Sequence, residues 1–314
     1  MLTLSQLITA YTIRKNFGNG DKKRDASQTT PDDIIRFDNI VYGKANVKAR
    51  LKKYQLLDVY RPKNISGKLP VIVSIHGGGW VYGDKDVYQF YCMRLAQRGF
   101  AVVNFSYRLA PESKFPAALE DIHKVFNWIS NSDNTEKYGF DLNNIFAVGD
   151  SAGAHLLTLY ASAITNKDYA SQFTLFNNNP LKPEIKLRAV ALNCGLYDIA
   201  AEAQKSQHSK QLLKAILPHG GRKEELELAN ATTHITSDFP PSFIMTCFGD
   251  FLYAQAPTII QSLEAAGVQH EYHCYGTQEK PLWHVFHCDP HLIEAVTCND
   301  DECAFFKTFF HAKN

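Results

Sequence analysis

The apolar run Ile145-Phe146-Ala147-Val148 passes directly into Gly149-Asp150-Ser151-Ala152-Gly153, and no other junction constrains the fold as much. A serine with a glycine two residues to either side marks a sharp turn from strand to helix. A Cβ at either glycine would crowd the strand or helix beside it. Such a turn lifts the Ser151 hydroxyl clear of a sheet and points the N-terminus of the next helix at it. An ordinary tight turn would also use two glycines. The strand before and the helix after supply the context a nucleophile needs, which makes Ser151 the candidate.

A second junction lies upstream, where the β-branched strand Val71–Ile75 runs into His76-Gly77-Gly78-Gly79-Trp80. Three successive glycines cost conformational entropy on folding. That cost has a purpose if peptide N–H groups must face a ligand with no side chain in the way. When a nucleophile attacks an acyl carbonyl, the oxygen becomes an anion, and losing one pre-placed donor raises the barrier by roughly 3–4 kcal/mol. Gly78 and Gly79 are the expected donors, with Ala152 as the third, since it follows the nucleophile. A flexible linker would not be wedged between such a strand and a tryptophan.

Charge excludes several partners. Lys and Arg number 33 against 32 Asp and Glu, dispersed along 314 residues, so no basic stripe or acidic tail addresses nucleic acid or a membrane surface. The seven cysteines lack C-x-x-C spacing and several fall in expected strands, so they read as small buried hydrophobes of a reducing compartment. The N-terminus has no basic region ahead of its apolar residues and no small-residue cleavage site. Leu4, Leu7, Ile8 and Tyr11 recur at helical spacing and suggest a short amphipathic helix covering some surface. No apolar run is long enough to span a bilayer. Asn64-Ile65-Ser66 and Asn230-Ala231-Thr232 match the glycosylation pattern by coincidence on this reading. A cytoplasmic location is the resulting expectation.

Residues 15–33 are polar and Gly-rich and read as a loop. Extended segments at Ile34–Tyr42 and Leu51–Tyr60 suit an antiparallel pair. Strands at 71–75, 100–107, 145–148, 187–193, 242–247 and 270–275 then alternate with helices near 88–97, 117–130 and 256–266. The expectation is an α/β fold with an eight-stranded, mostly parallel sheet whose sites lie at the carboxyl ends of its strands. The stretch 196–238 is too long for a crossover loop and reads as a small helical cap, joined by residues 1–33, on a single domain covering 1–314.

A serine hydroxyl needs a base, and the base needs an acid to fix its tautomer. On a sheet with this elbow the acid follows the serine in sequence and the histidine comes last. Asp250, just after strand 242–247, fits that order, with Asp198 after strand 187–193 as its rival. For the base, His284, His287 and His291 lie beyond the last strand, whereas His270 and His273 fall within it. Trp283 and Val285 would pin the ring of His284, yet spacing does not separate it from His287. The same three histidines at i, i+3 and i+7 could ligate a metal, but no paired cysteine or acidic ligand accompanies them. No metal is expected.

With these residues in place, the chain resembles the hormone-sensitive lipase branch of the α/β-hydrolase esterases from Pro70 onward. The resemblance is carried by His76–Trp80, Tyr107-Arg108-Leu109-Ala110-Pro111-Glu112, Phe115-Pro116-Ala117-Ala118, Gly149–Gly153, Asp250-Phe251-Leu252 and His284-Val285-Phe286. It implies an acid at Asp250, a base at His284, and bracing rather than reactive roles for His76 and Arg108. Asp150 is expected to anchor the elbow. The resemblance further implies hydrolysis of small carboxylic esters with short acyl groups, no cofactor, and a cap built from an N-terminal segment and an insert. Gly276–Leu282 is longer and more charged than the usual pattern, which bears on the pocket mouth. Rival readings are formamidase-type amide cleavage, a non-catalytic receptor of the same fold, and a peptidase. A receptor would lack the histidine, and a peptidase would want an extra selecting domain. A small-molecule ester is the expected partner, and a homodimer is left open.

Overall fold

The structure, a computed structural model, describes residues 3–43, 53–182 and 185–311. Eight strands form one sheet: β1 (Ile34–Val41), β2 (Leu56–Pro62), β3 (Leu69–Ile75), β4 (Ala101–Phe105), β5 (Phe140–Asp150), β6 (Leu187–Asn193), β7 (Ser242–Cys247) and β8 (His270–Tyr275). The helices are α1 (Leu4–Asp25), α2 (Lys85–Gln97), α3 (Ala117–Ile129), α4 (Ser132–Tyr138), α5 (Ala152–Thr165) and α6 (Lys167–Ser171). They continue with α7 (Thr174–Asn178), α8 (Ile199–Lys205), α9 (Gln207–Ile216), α10 (Lys223–Leu228), α11 (Ala256–Ala265) and α12 (Ile293–Thr308). The spatial order of strands is β1-β2-β4-β3-β5-β6-β7-β8. β1 with β2 and β2 with β4 are antiparallel, and every later pairing is parallel. From β3 the chain steps to β4 on one side and returns to β5 on the other. That reversal opens a crevice at the carboxyl ends of β3 and β5, where both glycine motifs lie.

Alternation along the central strands divides the core into two layers. Val71, Val73 and Ile75 join the helical stripe Leu119, Ile122, Val125, Phe126 and Ile129 of α3, together with α5, on one face. Ile72, Val102, Phe146 and Val148 face α2 and α12 on the other. With both faces covered, the strands read as continuous apolar runs rather than alternating ones. Phe146 stacks on Phe306 of α12 at 4.8 Å between ring centres, and truncating such a ring to Ala costs about 3–5 kcal/mol.

All eight expected strands form, with shifted ends. The second begins at Leu56 and runs through Pro62, with Leu51 and Lys52 outside the described residues. β5 starts at Phe140, ahead of the expected Ile145. Within 196–238, α9 and α10 fall where the sequence reads as helix, near 209–216 and 223–230, whereas α8, like α4, α6 and α7, was not foreseen.

Two expectations for the N-terminus are corrected. Residues 15–25 are helix, not loop, because tertiary partners hold the polar side chains and override weak propensity. Arg14 donates to the carbonyls of Val81 and Ala110 and to Glu112, Asp21 accepts from the Tyr82 hydroxyl, and Arg24 donates to the Val87 carbonyl and to Asp25. Nor does the expected apolar stripe cover a surface. Leu4, Leu7, Ile8 and Tyr11 are exposed, and the buried side of α1 is Gln6, Thr9, Ala10 and Ile13. Thr3 and Gln6 form a capping box, and the Gln6 amide also donates to the Lys214 carbonyl at 2.8 Å. Helix start and docking thus use the same polar residue. No helix among the described residues is long and apolar enough to cross a membrane.

Candidate active site

Ser151 sits at φ 54° and ψ −119° between β5 and α5, a conformation that costs a non-glycine residue on the order of 1–3 kcal/mol. Its surroundings leave it no alternative. A Cβ on Gly149 would stand 2.6 Å from the Gly153 carbonyl oxygen, and one on Gly153 2.0 Å from that of Ile75. The Ser151 N–H donates to the Asn193 carbonyl on β6 at 2.9 Å, tying the turn to the next strand.

The loop after β3 lies against this elbow. Tyr88 of α2 donates its hydroxyl to Asp150 Oδ2 at 2.7 Å and accepts the Gly77 N–H at 3.1 Å, so a single phenol braces both glycine motifs. Asp150 is buried, and burial raises its pKa to about 6 against the opposing hydrogen bond from Tyr88. Gly78 and Gly79 adopt φ 111° and 58°, and a Cβ on Gly78 would meet the Tyr82 carbonyl oxygen at 2.2 Å. Among the described residues, no protein acceptor takes the N–H of Gly78, Gly79 or Ala152. Ala152 opens α5, where the first N–H groups of a helix are unpaired and its dipole favours an anion.

His76 is fully buried, stacks on Tyr107 at 4.0 Å, and donates Nδ1–H to the Gly77 carbonyl at 2.8 Å. Burial drops its pKa to about 4, so it is neutral at working pH. Arg108 bonds to Asp121, Glu120 and the Ala117 carbonyl, joining the loop after β4 to the start of α3. Trp80 donates Nε1–H to His155 Nδ1 at 3.2 Å, and His155 Nε2–H in turn donates to the Ala229 carbonyl.

Asp250 follows β7, and its Oδ1 accepts His284 Nδ1–H at 2.7 Å and the Leu252 N–H at 2.8 Å. Oδ2 accepts from the Thr246 hydroxyl at 3.2 Å. Burial pushes this carboxyl's pKa up, but the His284 hydrogen bond and charge, with the Leu252 N–H, hold it below the ordinary carboxylate range. Because Nδ1 carries the shared hydrogen, Nε2 of neutral His284 is the free acceptor.

The other candidates lie elsewhere. Asp198 accepts the Ala201 N–H as the cap of α8. His287 is buried with its ring edge-on to Tyr91 at 5.0 Å, and burial lowers its pKa to about 3, aided by the charge of His284. His291 lies near Ser27 and Gln28. Among the described residues, His284, His287 and His291 form no cluster of ligand atoms, and Phe286–Cys288 is a short 3-10 turn rather than the helix that metal-ligand spacing would need.

Ser151, His284, Gly78 and Asp150 line one cavity of about 560 Å³, whose wall includes Phe251, Trp283 and, from α1, Phe17 and Arg24. The N-terminal helix is thus part of the cavity wall itself. Sequence reasoning missed Tyr88, His155 and Phe17, because none belongs to a local pattern and each acts through a partner distant in the chain. The seven cysteines are free, and all but Cys274 are buried.

The BD-FAE family model matches residues 57–256. Putative alpha/beta hydrolase R526 of Acanthamoeba polyphaga mimivirus is 30% identical over 161 residues, covering 51% of this chain and 42% of that protein. Versiconal hemiacetal acetate esterase of Dothistroma septosporum is 28% identical over 238 residues, covering 72% of this chain and 70% of that one. The chain therefore spans less than half the length of the viral relative and over two thirds of the fungal one. Among solved structures, esterase B of Lactobacillus rhamnosis inhibited with a C4-C4 sn-3 tributyrin phosphonate superposes with a TM-score of 0.86. It is 25% identical and covers 98% of this chain and 96% of that one.

Proposed function

The chain belongs to the BD-FAE family, within the hormone-sensitive lipase branch of the α/β-hydrolase esterases, and from that membership we propose that it is a serine carboxylesterase acting on short-chain esters. The observation that carries the reading is the His284–Asp250 hydrogen bond of 2.7 Å beside a cavity that also exposes Ser151 on its strained elbow. Nε2 of His284 removes the Ser151 proton as Oγ attacks the ester carbonyl. The oxyanion is received by the N–H groups of Gly78, Gly79 and Ala152. The resulting imidazolium, held by Asp250, returns the proton to the departing alcohol and leaves an acyl-enzyme. Water, deprotonated by the same nitrogen, then releases the acid.

His76 and Arg108 hold the loops in this scheme and stay out of the chemistry. Helices α1, α8, α9 and α10 act as the cap. This is supported by the bonds from Ser5 and Gln6 to Gln211 and Lys214 and by the α1 side chains in the cavity wall. The preference for acetyl to butyryl groups draws support from the tributyrin phosphonate that inhibits esterase B, and acetylated sugars are proposed as further acetyl substrates.

The test is the nucleophile. Ser151→Ala should bind ester yet lose turnover by roughly a million-fold, as removing such a serine does elsewhere. A fluorophosphonate should label the wild-type chain once, at Ser151. Label on a different serine defeats the proposal, and faster cleavage of the matching N-formyl amide than of the ester would move the chain to amide hydrolysis.

A further inference from the structure

Beneath the Asp250–His284 pair lies chemistry that acyl transfer leaves unused. Cys194 follows β6 and Cys247 ends β7, on neighbouring parallel strands. Both thiols are free and buried, and their sulfurs and a carboxylate oxygen of Asp250 lie within 4.8 Å of one another. Cys194 holds a left-handed conformation, φ 47°, while donating its N–H to the Met245 carbonyl at 2.7 Å. A non-glycine residue keeps such a conformation only where its surroundings over-determine it. Cys247 Sγ donates to the Trp283 carbonyl at 3.4 Å, which places the pair directly behind the segment carrying His284.

We propose that Cys194, Cys247 and Asp250 form an inhibitory site for a soft divalent cation of filled d shell, zinc or cadmium. Zinc bonds to sulfur at about 2.3 Å and to carboxylate oxygen at about 2.0–2.2 Å. Three donors round a tetrahedral ion then stand roughly 3.5–3.8 Å apart, so the cluster needs only to close slightly. Each thiol gives its proton to solvent, two metal–sulfur bonds and one metal–oxygen bond form, and the ion sheds water. Nothing is oxidised or reduced. Sulfur donors select against magnesium and calcium, which take oxygen.

Occupation acts on the reaction through Asp250. Its oxygens now hold His284, the Leu252 N–H and the Thr246 hydroxyl, and a cation there withdraws the charge that orients the base. The ion must pass the Trp283–Val285 wall, so inhibition develops over time rather than at once. The inhibitory effect rests on the esterase reading, whereas the binding does not.

The experiment uses the full chain, stripped of metal with a chelator and mixed with cadmium. Cadmium–thiolate charge-transfer absorption, metal retained after desalting, and p-nitrophenyl acetate hydrolysis are followed in parallel. One ion per chain, an absorption band worth two thiolates and a progressive loss of activity are expected, all reversed by EDTA. Cys194→Ser and Cys247→Ser should each weaken binding more than tenfold and resist inhibition, relative to their own activity in chelator. Cys274→Ser should behave as wild type. The site is overturned if the wild type retains no cadmium, if the band survives unchanged in both cysteine variants, or if it disappears in Cys274→Ser. A band that forms as expected on a chain without ester hydrolysis keeps the site and removes the esterase reading.

Discussion

His284 and His287 stand three positions apart, both among large apolar neighbours, yet only one touches a carboxylate. The His284 ring has Asp250 at 2.7 Å and Phe251 at 4.3 Å between ring centres, whereas His287 is sealed behind Tyr91 and Phe286 with Nδ1 unpartnered. A base must serve two partners at once, and a fully buried ring that burial keeps neutral reaches neither the hydroxyl nor the acid. His284→Ala should therefore lose most activity while keeping a remnant from the oxyanion donors, and His287→Ala should alter the rate only modestly. Asp250→Asn should cost on the order of ten-thousand-fold by favouring the wrong tautomer. Steady-state kinetics on one aryl acetate decides all three, and an inactive His287→Ala beside an active His284→Ala would reverse the assignment. The elbow was legible because its constraint is local, with Gly149 and Gly153 close-packed round a single turn. The choice of histidine was not, since the deciding carboxylate comes from 34 positions earlier. Tyr88 carried no signal at all, because its bonds to Asp150 and Gly77 join three separate elements.

The same limit governs the elements. The central strands were readable from their apolar runs because both faces of the sheet are covered. α1 was not, because its second half is held by Arg14, Asp21 and Arg24 reaching to other parts of the chain. Periodicity registers apolar stripes and says nothing of a helix docked through polar ones. That docking has a consequence for specificity. Phe17 packs edge-on to Tyr82 at 5.9 Å and stands in the wall of the cavity that holds Ser151. Each added acyl methylene gains about 0.8 kcal/mol while there is room, and steric clash ends the series. Rates over p-nitrophenyl esters should peak between acetyl and butyryl and fall by octanoyl. Phe17→Ala should move the peak toward longer chains with less change in the acetyl rate. A steady climb out to long-chain triglycerides in the wild type would make the protein a lipase, and an unmoved peak in Phe17→Ala would remove α1 from the pocket's far wall.

On the scale of the whole molecule, the interior holds ionisable groups of two kinds that pull stability in opposite directions with pH. Burial lowers His76 and His155 to about 4 and His287 to about 3, against about 6.5 in an unfolded chain. Burial lowers His123 and His234 as well. Between these limits the unfolded chain binds protons that the folded one refuses, so their contribution is present above pH 6.5 and lost on acidification. Burial raises Glu302 to about 7, opposed by its bonds from Asn193 and Tyr91, and Asp150 to about 6, and it raises Asp21 and Asp58 as well. Here the folded chain binds the additional proton, so these four carboxyls lose stability as pH rises. The histidines outnumber the carboxyls, and urea unfolding midpoints should fall as pH drops from about 6.5 to 4, each net proton being worth about 1.4 kcal/mol per pH unit. His287→Phe keeps an aromatic edge against Tyr91 and removes one titrating group, and it should flatten that slope by about one proton. Glu302→Gln removes an opposing group and should steepen it by a similar amount. Two variants that move the slope the same way would show that these buried groups do not set the acid limit of the fold.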